Sequence, residues 1–135
     1  MIGEIPVEII DAVLETIPFD ISILDKEDKV IGWNKHDKRI FKRPLSALGR
    51  NVRDCHPKKS LSKVEQILNE MKENKRDKAR FYIDLPVNPD GSKDKILIEY
   101  YALRDHKTGE YLGCLEASQR IGELQKLKGE KRLLD

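Results

Sequence analysis

Apolar residues recur along the chain with two different periods, and the changes of period mark its elements. An apolar stripe at three- and four-residue spacing predicts an amphipathic helix over residues 6–16. Pro6 suits a first helical turn, and Pro18 ends the helix. The stripe consists of Val7, Ile10, Val13, Leu14 and Ile17. Because one face is apolar, we expect this helix to lie on the domain's own sheet or on a partner.

Two short apolar segments, 19–24 and 30–34, follow this helix and flank the polar run 25–29. This arrangement predicts a β-hairpin. Asn34 stands where the second strand should stop, and its side chain can accept a backbone N–H. We therefore predict that Asn34 caps a short helix over residues 35–41.

A longer helix and three strands are predicted for the second half of the chain. Ser60 or Ser62 can cap a helix that runs to about residue 74. Its predicted buried stripe is Val64, Ile67, Leu68 and Met71. Alternating patterns then predict strands over 79–85, 95–104 and 110–119, an antiparallel meander.

Helical spacing returns at the C-terminus, where Ile121, Leu124, Leu127 and Leu134 predict a final helix that Gly122 and Gly129 weaken. The order of elements predicts an α+β fold with one five-stranded antiparallel sheet. Short helices and the longer helix would cover one face, and the terminal helices would flank the other. We divide the chain into an N-terminal amphipathic helix (1–18), a domain (19–121) and a C-terminal signalling or linker helix (122–135).

Composition narrows the class of protein. Hydrophobic residues make up 39% and charged residues 37%, with a formal net charge of +2. Because the charges are interspersed, a nucleic-acid-binding protein built on a basic face is disfavoured. No apolar run is long enough to span a membrane, and nothing resembles a signal peptide. Two cysteines make no disulfide framework, so we expect a cytoplasmic protein with reduced thiols.

Three segments, taken together, resemble a PAS domain over roughly residues 17–121. ISILDKEDKVIGWN resembles the opening hairpin, and LGRNVRDCHP resembles the segment that leads through an Asp to His-Pro. GEYLGCLEASQRI is similar to the last strand, which leads into a signalling helix. The resemblance implies a sensory or signal-transduction module with a cavity between sheet and helices. It also implies a homodimer formed through the flanking helices, and an output through a partner protein in trans.

A narrower resemblance rests on NVRDCHPKKS and GEKRLLD. These segments are similar to the PAS modules found beside hemerythrin-like domains in anaerobic bacteria and archaea. No such companion domain is present in this sequence, so the narrower resemblance says little about the partner.

His56, Cys55 and Trp33 are the candidate cofactor-binding residues. Either Cys55 or His56 can ligate a metal or a haem iron, and the PAS resemblance implies a haem held through His56 as one alternative. Structural use of His-Pro in shaping the loop is the favoured alternative. Trp33 can stack on a flat ligand, although a lone Trp near a strand end more often packs in the core.

Other chemistry is disfavoured by the sequence. Adjacent residues point in different directions, so Cys55 and His56 do not form a catalytic pair. The sequence has no Cys-x-x-Cys pair, so the evidence for a zinc site is weak. DCHPKKS is unlike the cysteine motif of flavin photosensors, and we predict no enzyme activity. Two functions remain: a module that senses a small ligand or cofactor, and a ligand-free module for dimerisation or protein docking.

Overall fold

The computed structural model describes residues 1–134, and its regular elements are two α-helices and five strands. The helices are α1 (Val7–Thr16) and α2 (Lys58–Lys72). The strands are β1 (Asp20–Asp25), β2 (Val30–Trp33), β3 (Lys78–Leu85), β4 (Asp94–Arg104) and β5 (Tyr111–Arg120). They form one antiparallel sheet in the order β2-β1-β5-β4-β3. This sheet confirms the predicted α+β fold and the predicted meander.

The hydrophobic core lies between α2 and the face of the sheet that we call the inner face. The apolar stripe of α2 buries Val64, Leu68 and Met71. These side chains cluster with Leu24 and Val30 from the first hairpin. Strand alternation brings every second residue of the central strands to this face. The burial of large apolar groups here supplies most of the driving force for folding.

The long helix starts earlier than the sequence predicts. It begins at Lys58, directly after Pro57, and no side chain caps it. Ser60 Oγ donates to the Pro57 carbonyl at 3.3 Å, so the predicted serine cap is wrong. Pro57 itself defines the start: its ring restricts φ, which is -60°, and its ψ of 147° is extended, so the helix does not reach back beyond it.

The predicted helix over residues 35–41 is also wrong. Only one 3-10 turn forms there, over His36–Lys38. Lys35 lies in the left-handed region with φ 53, and Arg39 is extended. These two conformations bracket the turn and prevent a longer helix.

Asn34 does not cap that turn. Its Oδ1 accepts from the backbone N–H of Ile21 at 2.7 Å. Its Nδ2 donates to the carbonyls of Leu14 (2.5 Å) and Phe19 (2.9 Å). The side chain is buried and joins the end of α1 to β1. A buried amide must satisfy both its donor and acceptor, which explains why the capping role is lost.

The terminal segments do not cover the outer face of the sheet as predicted. None of the ten residues of α1 is buried. The predicted C-terminal helix is replaced, within residues 122–134, by one 3-10 turn at Leu124–Lys126. Asp135 lies outside the described residues. A short, largely exposed segment with two glycines does not sustain a helix. In the described part of the chain, no helix has the length and apolar character needed to cross a membrane.

The loop over residues 48–57 is held against the first hairpin. Val30 N donates to the Arg50 carbonyl at 2.9 Å, and Lys29 bridges Asn51. Buried Asp28 pairs with Arg53 (2.9 Å) and with Lys72 (2.6 Å). These contacts fix the path of the loop into α2.

Candidate functional site

One row of cross-strand neighbours runs across the middle of the inner face, and we call it the central row. It contains one residue from each strand, in the order Trp33, Ser22, Glu116, Tyr100 and Ala79. Glu116 occupies its centre, on the middle strand of the sheet. The row brings a charged group into the interior of a sheet whose other core positions are mostly apolar.

Glu116 is 8% exposed, and its main partner comes from a distant segment. Arg43 Nη2 donates to Glu116 Oε2 at 2.8 Å, and Arg43 Nε donates to Ser22 Oγ at 2.9 Å. Glu116 Oε1 is buried and has no hydrogen-bond partner among residues 1–134. Burial raises the pKa of Glu116, and Arg43 opposes that shift most strongly. The site therefore contains an ion pair with one unsatisfied oxygen.

Arg39 holds in place the segment over residues 34–43, which contains Arg43. Its Nη1 donates to the carbonyls of Ile21 (3.0 Å) and Asn34 (2.9 Å), and its Nη2 donates to Ser22 Oγ at 3.1 Å. Burial lowers the pKa of Arg39, while nearby Asp20 opposes the shift. This segment forms no α-helix that would hold it in place. Its position is fixed instead by the guanidinium group, which donates to these three acceptors at once.

His56 and Cys55 are half-buried in the loop before α2. His56 Nδ1 lies 3.0 Å from the Val52 carbonyl, and Cys55 Sγ lies 3.8 Å from the Asn51 carbonyl. His56 is also one of the groups whose charge acts to lower the pKa of Glu116, against the larger effect of burial. Both side chains bond within their own loop, which favours the loop-shaping role.

Trp33 lies at one end of the central row, half-buried against the core. Its Nε1 donates to His36 Nδ1 at 3.0 Å, and the two rings stack with centroids 5.9 Å apart. Trp33 therefore lies on the same face of the sheet as Glu116. The sequence does not identify Glu116 or Arg43, although a Glu between Cys114 and Ser118 on an alternating strand was a usable signal.

The interior around His56 does not fit a haem. Its carbonyl partner belongs to Val52, which is fully buried. Leu24, Leu68 and Met71 fill the same core, and each is at most 1% exposed. A macrocycle there would displace these side chains. Among residues 1–134, no group of three or more His, Cys, Asp or Glu side chains is placed to hold a metal ion.

Two surface concavities lie away from this site. One, of about 580 Å³, is lined mainly by polar side chains of the β3–β4 loop, the adjoining strand ends and the C-terminal segment, among them Asp94, Arg120 and Gln125. The other, of about 450 Å³, lies along α1 and the residues that follow it. Neither includes a residue of the central row.

The chain is similar to several solved structures. One is the C-terminal domain of a protein from Streptococcus mutans, with 29% identity, a TM-score of 0.81, and coverage of 93% of this chain and 92% of that chain. Another is the PAS domain of a protein from Colwellia psychrerythraea, with 18% identity, a TM-score of 0.61, and coverage of 87% and 98%. A third is the VqmA dimer of Vibrio cholerae, with 17% identity, a TM-score of 0.62, and coverage of 94% and 56%.

The search of curated proteins finds no match. The family model described as "PAS domain" matches residues 10–121, which include most of α1, all of α2, the whole sheet and the central row. On this match, and with a fold shared with solved PAS domains, the chain belongs to the PAS domain family.

Proposed function

We propose that this PAS domain is a sensory module that binds a small molecule on the inner face of its sheet. PAS domains are generally sensory modules of signal transduction, and we propose no catalytic activity for this one. The observation that carries the proposal is the buried Arg43–Glu116 pair with its unpartnered oxygen. An ion pair inside a core contributes little to stability by comparison with apolar packing. Its presence in the central row therefore favours a binding role.

Ligand binding would be transmitted to the terminal segments at the end of β5 and at the start of β1. β5 carries Glu116 and ends at Arg120, whose Nε donates to Asp94 Oδ2 at 2.7 Å. The next segment is held by the same carboxylate, since Gly122 N donates to Asp94 Oδ1 at 3.0 Å. On the other side, the Asn34 side chain links β1 to α1. We propose that a shift of Glu116 alters these two attachments.

Native mass spectrometry of the gently purified protein tests this function. We expect a fraction of the chain to retain a small molecule that denaturing conditions release. A chain that carries no added mass in repeated preparations contradicts the ligand-sensing function. Haem is an independent outcome: a Soret band that is lost in His56→Ala would show that the core rearranges to admit it.

A docking or dimerisation function is the second candidate, and the exposed face of α1 favours it. Val7 is 79% exposed, and Ile9 and Val13 are each 50% exposed. An apolar helix face of this kind is the usual sign of a missing contact. We propose that a second copy covers it. Light scattering of the chain without residues 1–16 should then report a monomer where the full chain is a dimer, and a persistent dimer would contradict this interface.

The remaining parts of the proposal concern context. We propose a cytoplasmic module that acts on a partner protein in trans, without contact to nucleic acid or membrane. Both cysteines are free, which agrees with a reducing compartment. The narrower relationship to PAS modules beside hemerythrin-like domains also stays a proposal, and co-purification with such a protein would support it.

A further inference from the structure

Glu116 Oε1 lacks a donor that its environment should supply. A buried carboxylate oxygen without a hydrogen bond is destabilising, so such atoms are usually satisfied by a group or a water that completes the site. Arg43 donates only to Oε2, and the Ser22 hydroxyl, which accepts from Arg39 and Arg43, makes no hydrogen bond to Oε1. The missing partner must therefore be a donor from outside the set of side chains that surround Glu116.

The charges around Glu116 indicate whether the missing donor is neutral or charged. The buried or half-buried groups Arg39 and Arg43 carry two positive charges, and Asp20 and Glu116 carry two negative charges. Asp20 is engaged by the backbone of Ile40, to which its Oδ2 is 2.5 Å. The cluster is therefore neutral as it stands. A further charge in this interior would be uncompensated, so a neutral donor is favoured over a cation or an anion.

The neighbouring row of the inner face is apolar at its positions on β4 and β3. This row runs Asp20, Ser118, Ile98 and Phe81 across the same strands. Phe81 packs edge-on against Tyr100, with ring centroids 5.4 Å apart. On edge strand β3, Phe81 is 37% exposed and Ile83 is 39% exposed, although both lie on the inner face. Ile98 and Phe81 are the apolar residues of this row, and they lie directly beside the central row that contains Glu116.

We infer that Glu116 Oε1 accepts a hydrogen bond from a small neutral molecule that has one N–H or O–H donor and a compact apolar body. The body lies over Ile98 and Phe81, and the donor points to Glu116. The inference rests on the proposed ligand-sensing function and names the class of its ligand.

Four benzene derivatives of similar size test this class in the full chain: benzyl alcohol, benzyl methyl ether, benzylammonium and benzoate. Each is titrated while backbone amide shifts are followed by NMR. We expect benzyl alcohol to bind about tenfold more tightly than the ether, since only the alcohol donates to the carboxylate. We also expect it to bind more tightly than either charged probe. The largest shifts should fall on Glu116, Ser118 and Phe81.

Glu99→Gln is the matched control for Glu116→Gln. Glu99 is also a buried carboxylate of this sheet, but it lies on the outer face and is paired with Arg80. In Glu116→Gln the preference for the alcohol over the ether should disappear, because the amide can donate to either oxygen. In Glu99→Gln the preference should be unchanged. If Glu116→Gln does not fold, the alcohol-to-ether ratio in the unaltered chain decides the matter.

Three results would overturn the inference. Equal affinity for alcohol and ether would do so while leaving the proposed function standing, because a ligand would still bind. Tightest binding of benzylammonium would replace the neutral class by a cationic one. Binding of none of the four probes, or a single ordered water on Oε1 in crystals soaked with benzyl alcohol, would also reject it. Native mass spectrometry judges the proposed function separately.

Discussion

Two glutamates at adjacent rows of the sheet, Glu116 on the inner face and Glu99 on the outer face, are almost equally buried but differ in their surroundings. Their exposed fractions are 8% and 7%. Burial acts to raise the pKa of Glu99, but hydrogen bonds from Lys78 and Arg80 outweigh it, and the net pKa lies below the usual value. Burial dominates at Glu116, and the net pKa is raised.

The difference arises from where the cations come from. Lys78 and Arg80 neighbour Glu99 on the edge strand, and their side chains are about half exposed. Arg43 reaches Glu116 from a separate segment, and both side chains of that pair are largely buried. A carboxylate with solvated partners stays charged at little energetic expense, whereas one with a single buried partner depends on that partner. Degree of burial alone therefore does not distinguish a structural carboxylate from a candidate binding group.

The largest expected difference in stability is between variants that lack the arginine paired with Glu116 or the arginine paired with Glu99. Arg43→Met should lower the free energy of unfolding by about 3–5 kcal/mol at neutral pH, because it leaves Glu116 buried without its cation. Arg80→Met should change it by less than about 1 kcal/mol, since Arg80 is exposed and Lys78 remains. Urea unfolding measures both. Equal losses in the two variants would show that the faces do not differ as described.

The pH dependence of stability should have opposite signs for the two glutamates. The folded protein holds the Glu116 proton to a higher pH than the unfolded chain, whose Glu pKa is near 4.5, so this group lowers stability as pH rises past that value. Glu99 has a lowered pKa, so its contribution is present above the ordinary value and is lost as pH falls through the folded pKa.

Urea unfolding across the acid and neutral range tests these signs. Glu116→Gln should remove a decline in stability towards neutral pH, and Glu99→Gln should remove a loss in acid. Parallel changes in the two variants would contradict the assigned pKa directions.

The smallest effect is expected at another unpartnered buried oxygen. The hydroxyl of Tyr111 is buried and has no hydrogen-bond partner among residues 1–134. Tyr111→Phe removes it with little change of shape, so we expect the free energy of unfolding to change by less than about 1 kcal/mol. A large loss, measured by urea unfolding, would mean that a bound water satisfies this oxygen. The same explanation would then weaken the case for a ligand at Glu116.

Prediction from sequence succeeded for the sheet and failed for the short helices. Alternation in 95–104 and 110–119 predicts β4 and β5 to within one residue at most ends, because side-chain direction in a strand follows directly from position. The segment 35–41 has helix-compatible residues but no helix. Its conformation depends on the distant acceptors that Arg39 reaches, which local periodicity does not encode.

The residues predicted from the sequence are not the ones that pair at the candidate site. Trp33 lies on the same face of the sheet as Glu116, and His56 lies in the loop before α2, but neither is hydrogen-bonded to Glu116. Arg43 stands among several other Lys and Arg residues within 35–43, and the sequence offers no reason to select it over them. The pair it forms joins residues 73 positions apart.

The order of the elements, the two faces of each strand and the buried stripe of α2 can be read from the sequence. These properties follow from periods of two and 3.6 residues, which act locally. Tertiary packing is needed to bring Arg43 to Glu116, to join α1 to β1 through Asn34, and to leave an oxygen of Glu116 and one of Asp28 without a donor. Such contacts depend on the path of the loops around the core, which packing and long-range hydrogen bonding select.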